Sequence, residues 1–229
     1  MEVMVIPPFP PTGMKEHVSD YLVRTAAGMP HALPPKLRIS GEESTSAKQY
    51  ILSRLGHEKS LSGDELPNLA AVHPGSGSAG KIWPPASMAR AAQQLTSDGH
   101  IEGVLLIQGP ADDEYAREFQ RELKGIHVIH VVHRPVLDLA AILGCARLFL
   151  GSDSGVAHLA AAVGVPTVVI FGPTDPHQWA SRGRSVSVVY KKARCAPCRP
   201  EDMRGCTYRS CLEQVTVEDV LEAARALPG

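Results

Sequence analysis

With 229 residues the chain can form one large domain, or one domain and part of a second, and it can bury a core. A net charge of -1 and 44% apolar residues exclude a disordered chain and a general polyanion binder. No run is long and apolar enough to cross a membrane: Leu159 to Phe171 comes nearest but is short and carries Gly164 and Pro166. The opening MEVMVIPPFPP lacks the basic start and cleavage site of a signal peptide, so the expected setting is cytoplasmic.

In chain order, Glu2 to Ile6 reads as a strand ended by the prolines of Pro7 to Pro11, and His17 to Ala27 as one helix. Gly28 to Pro35 looks like a linker. A lone strand and helix cannot bury their apolar faces, so residues 1–35 read as the remnant of a larger partner domain, and 36–229 as the main domain. Ser44 to Leu55 places Ala47, Tyr50, Ile51 and Leu55 at helical spacing, with Gly56 as the stop. Strands and helices then alternate. Leu69 to His73, Gly103 to Gln108, His127 to Val131, Leu148 to Leu150 and Thr167 to Phe171 read as strands. Between them Pro85 to Leu95, Asp112 to Leu123, Val136 to Leu143 and Val156 to Val163 read as helices. One more strand at Ser185 to Tyr190 and a closing helix at Thr216 to Leu227, capped by Thr216, complete the pattern. Short links between strand and helix predict a Rossmann-like, doubly wound parallel α/β sheet.

Ligands of such sheets lie beyond the carboxyl ends of the strands, which singles out three loops. In Gly151-Ser152-Asp153-Ser154-Gly155, Asp153 or Ser154 can cap the next helix, leaving the N–H groups of Gly155 and Val156 free for an anion such as phosphate. His158, four residues after Ser154, shares that helix face; a structural histidine is the plainer alternative. Pro74 to Lys81 is glycine-rich and ends in a lysine that can face a diphosphate, yet it lacks the Ser/Thr of a true phosphate loop. Gly109 to Glu114 offers Asp112, Asp113 and Glu114, which suit a ribose hydroxyl or simply the start of a helix. Ser152 and Asp153 follow a glycine, so no acidic D-x-D metal pair forms here.

Two features stand apart from those loops. Cys195, Cys198, Cys206 and Cys211 can be read as a structural zinc site, as disulfides or as reduced packing thiols, and the second spacing is not that of a ribbon or finger. Cys145 reads as a core residue. The tract from Arg182 to Arg209 is basic and opposed only by Glu201 and Asp202, which fits either a solvated loop or a docking patch for an anionic membrane surface or acceptor. Four cysteines beside basic residues also raise a zinc-dependent nucleic-acid binder. The scarcity of aromatics and the absence of overall positive charge count against any nucleic-acid partner.

Taken together, Val72 to Leu95, Asp153 to Pro166 with Phe171 to Pro176, and Cys195 to Leu212 resemble the C-terminal half of glycosyltransferase family 9, the ADP-heptose:lipopolysaccharide heptosyltransferases and their relatives. The resemblance spans about residues 67–227 and implies a GT-B arrangement of two Rossmann-like domains, with the nucleotide-sugar donor held mainly by the C-terminal one. It makes Lys81 the lysine on the donor diphosphate, Asp153, Ser154, Gly155, Val156 and His158 the phosphate-binding helix start, and Glu114 (or, with a slipped alignment, Asp113) the carboxylate on the ribose. It implies no cofactor, no bound metal, and a glycan or glycolipid acceptor of the cell envelope, such as lipopolysaccharide. In the family the general base sits in an N-terminal domain, of which residues 1–35 resemble only the last strand and helix. The expectation is therefore a chain that holds a nucleotide-sugar and transfers the sugar poorly or not at all. A catalytically silent nucleotide-sugar module is the main alternative. A GT-B sugar-nucleotide epimerase would need catalytic carboxylates and a second domain that the sequence does not offer.

Overall fold

A computed structural model describes residues 6–11, 14–55 and 66–228, with backbone only at residues 200 and 204. Six strands, β1 Leu69–His73, β2 Gly103–Gln108, β3 His127–Val132, β4 Leu148–Ser152, β5 Thr167–Phe171 and β6 Val186–Tyr190, form one sheet in the order β3-β2-β1-β4-β5-β6. Every pairing is parallel. The helices are α1 Val18–Ala27, α2 Gly41–Leu55, α3 Pro85–Ser97, α4 Asp113–Glu122, α5 Val136–Leu143, α6 Gly155–Val163, α7 Pro176–Trp179, α8 Pro200–Arg204, α9 Ser210–Glu213 and α10 Val217–Arg225.

Two apolar layers sandwich the sheet because successive strand residues point to opposite faces. Ala70, Val72, Val104, Leu106, Leu150 and Ile170 pack under α3, α4 and α10 through Met88, Phe119 and Leu221. Leu69, Ala71, Leu105, Phe149 and Val169 pack under α2, α5 and α6 through Ile51, Ile142 and Ala160. With both faces covered, β1 and β4 are buried along their whole length, which is why they read as continuous apolar runs.

Local chemistry fixes the helix ends. Thr216 and Asp219 close a reciprocal capping box on α10. The Ser154 side chain accepts from Ala157 N–H at the start of α6, and Gly164, at φ 92°, ends it in the left-handed region. The sequence misses the short helices α7, α8 and α9, each of four or five residues and too brief to show a periodic face. The proposed N-terminal strand lies outside the described residues except for Ile6, which carries no strand, and so does the stop at Gly56.

The N-terminal segment is fastened by polar contacts. Asp20, buried on α1, receives both guanidinium nitrogens of Arg182 at 2.7 and 2.6 Å and Ala32 N–H at 2.7 Å. Those donors hold the Asp20 carboxyl far below the ordinary carboxylate range, with the Arg182 hydrogen bond the largest cause. His17 Nε2 meets the Ala180 carbonyl at 2.9 Å, and Phe9 stands edge-on to Trp179. Leu22, Met29 and Leu33 stay exposed.

The chain runs from β1 outward to β3, then returns through α5 to lay β4 on the other side of β1. Connections from the carboxyl ends of β1 and β4 therefore diverge to opposite faces and open a crevice.

Candidate functional site

Above that crevice lies a cavity of about 710 Å³. Its floor is built from the strand ends and the start of a helix: His73 ends β1, Ser76 and Gly77 follow it, Asp112 precedes α4, and Ser154, Gly155, Val156 and His158 open α6. Pro35, Val136, Leu139, Leu159 and Ala162 supply an apolar wall. The exposed lining is largely apolar with a small polar part, which suits a ligand with a flat or aliphatic part and a charged part.

The floor is organised around the start of α6. Ser154 caps the helix, while among the described residues the N–H groups of Gly155 and Val156 have no acceptor. Gly155 is exposed, Val156 is half-buried, and both line the cavity at the positive end of the helix dipole. One residue earlier, the buried Asp153 takes a salt bridge from Lys81 Nζ at 2.9 Å and a hydrogen bond from the Thr174 hydroxyl at 2.8 Å. Ser76 donates its hydroxyl to the Asp153 carbonyl at 2.7 Å, which ties the glycine-rich loop to the α6 turn. The ammonium has three donors, so pairing with Asp153 aims it and leaves two for a ligand. Burial depresses the basicity of His158, with Asp153 opposing that effect and His17 and Lys81 adding to it.

Within the same floor runs a second chain of contacts. His73 Nε2 lies 3.0 Å from Asp112 Oδ2, and its Nδ1 lies 3.2 Å from Ser154 Oγ. Asp112 Oδ2 also accepts from Gly109 N–H at 2.7 Å. Burial pushes the Asp112 carboxyl up, but the hydrogen bond and charge of His73 and the Gly109 N–H outweigh it and keep the group ionised. Gly75 is obligatory here, since a Cβ on it would fall 1.8 Å from Asp112 Oδ1.

The model of glycosyltransferase family 9 (heptosyltransferase) matches residues 14–208. The chain belongs to glycosyltransferase family 9. Lipopolysaccharide heptosyltransferase 1 of Pseudomonas aeruginosa is 33% identical over 141 residues, covering 61% of this chain and 38% of the relative. Lipopolysaccharide heptosyltransferase 2 of Escherichia coli K12 is 28% identical over 217 residues, 90% of this chain and 57% of the relative. Among solved structures, the Escherichia coli ADP-heptose heptosyltransferase II superposes with a TM-score of 0.67 at 22% identity, over 89% of this chain and 56% of that one. An Escherichia coli heptosyltransferase with ADP superposes at 0.57 and 19% identity, over 92% and 56%. These matches share the fold, the α/β half of a GT-B heptosyltransferase. The chain spans about half the length of the curated relatives it matches.

Of the residues singled out in this family 9 sequence, the structure gathers Ser154, Gly155, Val156 and His158 on the cavity floor. Lys81 and Asp153 stand beside it as a pair, joined to the floor through Ser76 and the cap. Glu114 is not in that group. It is exposed in the first turn of α4 and lines a separate recess with Arg117, Glu118 and Arg121. Asp112, offered with it as a ribose acceptor, is instead spent on His73 and Gly109.

Sequence reasoning missed His73, which it used only as the last residue of a strand. A polar residue closing an apolar strand immediately before a glycine-rich loop is the signal that could have found it. It also missed Ser152, whose hydroxyl accepts from Trp83 N–H at 3.0 Å and steadies the loop after Lys81.

Among the described residues no group of three or more His, Cys, Asp or Glu is placed to hold a metal ion. All five cysteines are free thiols, and burial lifts the Cys198 thiol to about 11, helped by Cys195 and Cys211. In the basic tract Arg182 pairs with Asp20, Lys191 with Asp219, and Arg199 with Glu201 and Asp202. Arg184, Lys192, Arg194 and Arg209 are exposed. No described helix is long and apolar enough to cross a membrane.

Proposed function

We propose that this chain is the donor-binding part of a glycosyltransferase of the heptosyltransferase type, with a nucleotide-sugar, ADP-heptose in first place, seated over the β1/β4 crevice. The observation that carries the reading is the start of α6: two unclaimed amides on a cavity floor, beside a lysine aimed by Asp153, in a chain of family 9. The amides and Lys81 take the diphosphate, and the apolar wall at Val136 and Leu139 takes the base. In transfer, an acceptor hydroxyl attacks the anomeric carbon while the nucleoside diphosphate departs. The charge growing on that leaving group is met by donors already aligned before the reaction begins. The acceptor is a cell-envelope glycan or glycolipid. The exposed Arg184, Lys192, Arg194 and Arg209 are positioned in this reading for an anionic membrane surface, a contact that salt should weaken.

Calorimetry with ADP-glucose and with ADP tests the binding step. Both should bind the 229-residue chain, and Lys81→Ala should weaken them by about 10–100-fold, the scale of a charge-assisted contact. Unchanged affinity in the variant removes Lys81 from the site. A sugar-transfer assay with a lipopolysaccharide-core acceptor then separates the transferase from a catalytically silent nucleotide-sugar module, which would bind donor and release no diphosphate.

A further inference from the structure

The contacts from Asp112 through His73 to Ser154 end on the cavity floor; Asp112 and Ser154 each also accept a backbone N–H, whereas among the described residues the His73 ring hydrogen-bonds only to these two side chains. His73 is 4% exposed, Asp112 5% and Ser154 8%, so three polar side chains have been taken out of water to contact one another. Burying such groups is costly unless every hydrogen bond is made, and here the partners form a single line. Resting on the donor-binding reading above, we infer that His73 is a positioning residue. Held by Asp112, it decides whether the Ser154 hydroxyl offers its proton to the phosphate of the ligand or keeps it.

Hydrogen-bond inventory leads to this directly. Ionised Asp112 can only accept, so His73 Nε2 carries a hydrogen and donates it to Oδ2. When the ring is neutral, Nδ1 then bears a lone pair and the Ser154 hydroxyl must donate to it at 3.2 Å. Its proton is thereby turned away from the cavity. When the ring is protonated, Nδ1–H donates to Ser154 Oγ, which also accepts Ala157 N–H, and both lone pairs of the hydroxyl are filled. The O–H is then released from Nδ1, and Ser154 lines the same cavity as Gly155 and Val156. The cationic ring adds charge to the same end. Protonation of His73 would thus change Ser154 from a donor held by the ring to a donor free to turn to an anion.

The other charged groups around this line are few. His133, after β3, faces Asp112; His158 on α6, Lys81 on the β1–α3 loop and Asp153 after β4 border the floor. Their influence on affinity is common to the wild type and the variants below, so it cancels in the comparison.

The test is the pH dependence of ADP-glucose affinity between about pH 5.5 and about pH 8.5, the range in which histidine changes charge. Both phosphates of this probe are esterified, so the probe itself does not titrate there. The wild type should lose about fivefold or more in affinity as pH rises, one hydrogen bond to a charged group being at stake. Asp112→Asn keeps the shape and the acceptor but removes the carboxylate charge that faces the ring, so its profile should depart from that of the wild type. Ser154→Ala should bind more weakly with the His73-dependent part of the profile gone, and Ser154→Thr, which keeps hydroxyl and cap, should restore it. Thermal melts establish that each variant is folded. Identical profiles in wild type, Asp112→Asn and Ser154→Ala, with binding intact, would overturn the inference while leaving the donor site standing. No binding of the probe at any pH would overturn both.

Discussion

The two ends of the same sheet have been built to different rules. Among the described residues eight polar or charged ones are buried, and five of them, His73, Asp112, Ser152, Asp153 and Ser154, lie at or just past the carboxyl ends of β1, β2 and β4. At the amino ends β1 and β4 begin in Leu69 and Leu148, and the buried Thr167 that opens β5 donates its hydroxyl to the nearby Val165 carbonyl at 2.7 Å. The ion pairs nearby, Arg225 with Asp98 at 2.7 Å and with Glu218 at 3.0 Å, stay on the surface. A surface pair is screened and gains little, whereas a buried polar cluster costs stability unless fully satisfied. In the function proposed above, one end is the part that holds the fold and the other is the part held for a ligand.

Substitutions that should break this contrast rank by size. Phe149→Ala, in the middle of β4 and fully buried, should cost about 3–5 kcal/mol of stability in denaturant unfolding by leaving a cavity between the sheet and α5 and α6. At the ligand end, Gly75→Ala sets a methyl 1.8 Å from Asp112 Oδ1 and must displace it. Nucleoside-diphosphate binding should fall by more than about tenfold, as the loop that carries Lys81 moves, with a stability loss of about 1–3 kcal/mol from overpacking. Arg225→Ala, at the amino end, should change stability by less than about 1 kcal/mol and leave ligand affinity untouched.

The Asp20–Arg182 clamp sharpens the comparison from outside the sheet. The folded carboxyl is far below its unfolded value, so this contact adds stability that is full above about pH 4 and drains away as pH falls through the folded value. Asp20→Asn should lower the melting temperature at neutral pH and flatten its decline in acid. Equal acid sensitivity in wild type and variant would show that the clamp contributes nothing.

How much of this could be read from residues follows from the same asymmetry. The apolar strands declared themselves, and β1, β2 and β5 lie where their β-branched and aliphatic runs begin and end. The cap at Ser154 and the free amides after it were legible because small and capping residues at a helix start carry a local rule. The Asp112–His73–Ser154 line was not. It joins residues 39 and 81 positions apart, and only the folded crossing of β1 with its neighbours brings them within 3.2 Å. For the same reason Glu114 could be singled out by resemblance to the family but not oriented, and it stands exposed at the start of α4. Short helices α7 to α9 escaped because four or five residues are fewer than two turns.

The account depends on where a diphosphate lands, and amide NMR measures that residue by residue. On titration with ADP-glucose, the amide resonances of Gly155 and Val156 should move first and furthest, together with those of the loop from Ser76 to Lys81. If those two stay fixed while resonances elsewhere shift to saturation, the start of α6 is not the anion site and the proposed donor function falls.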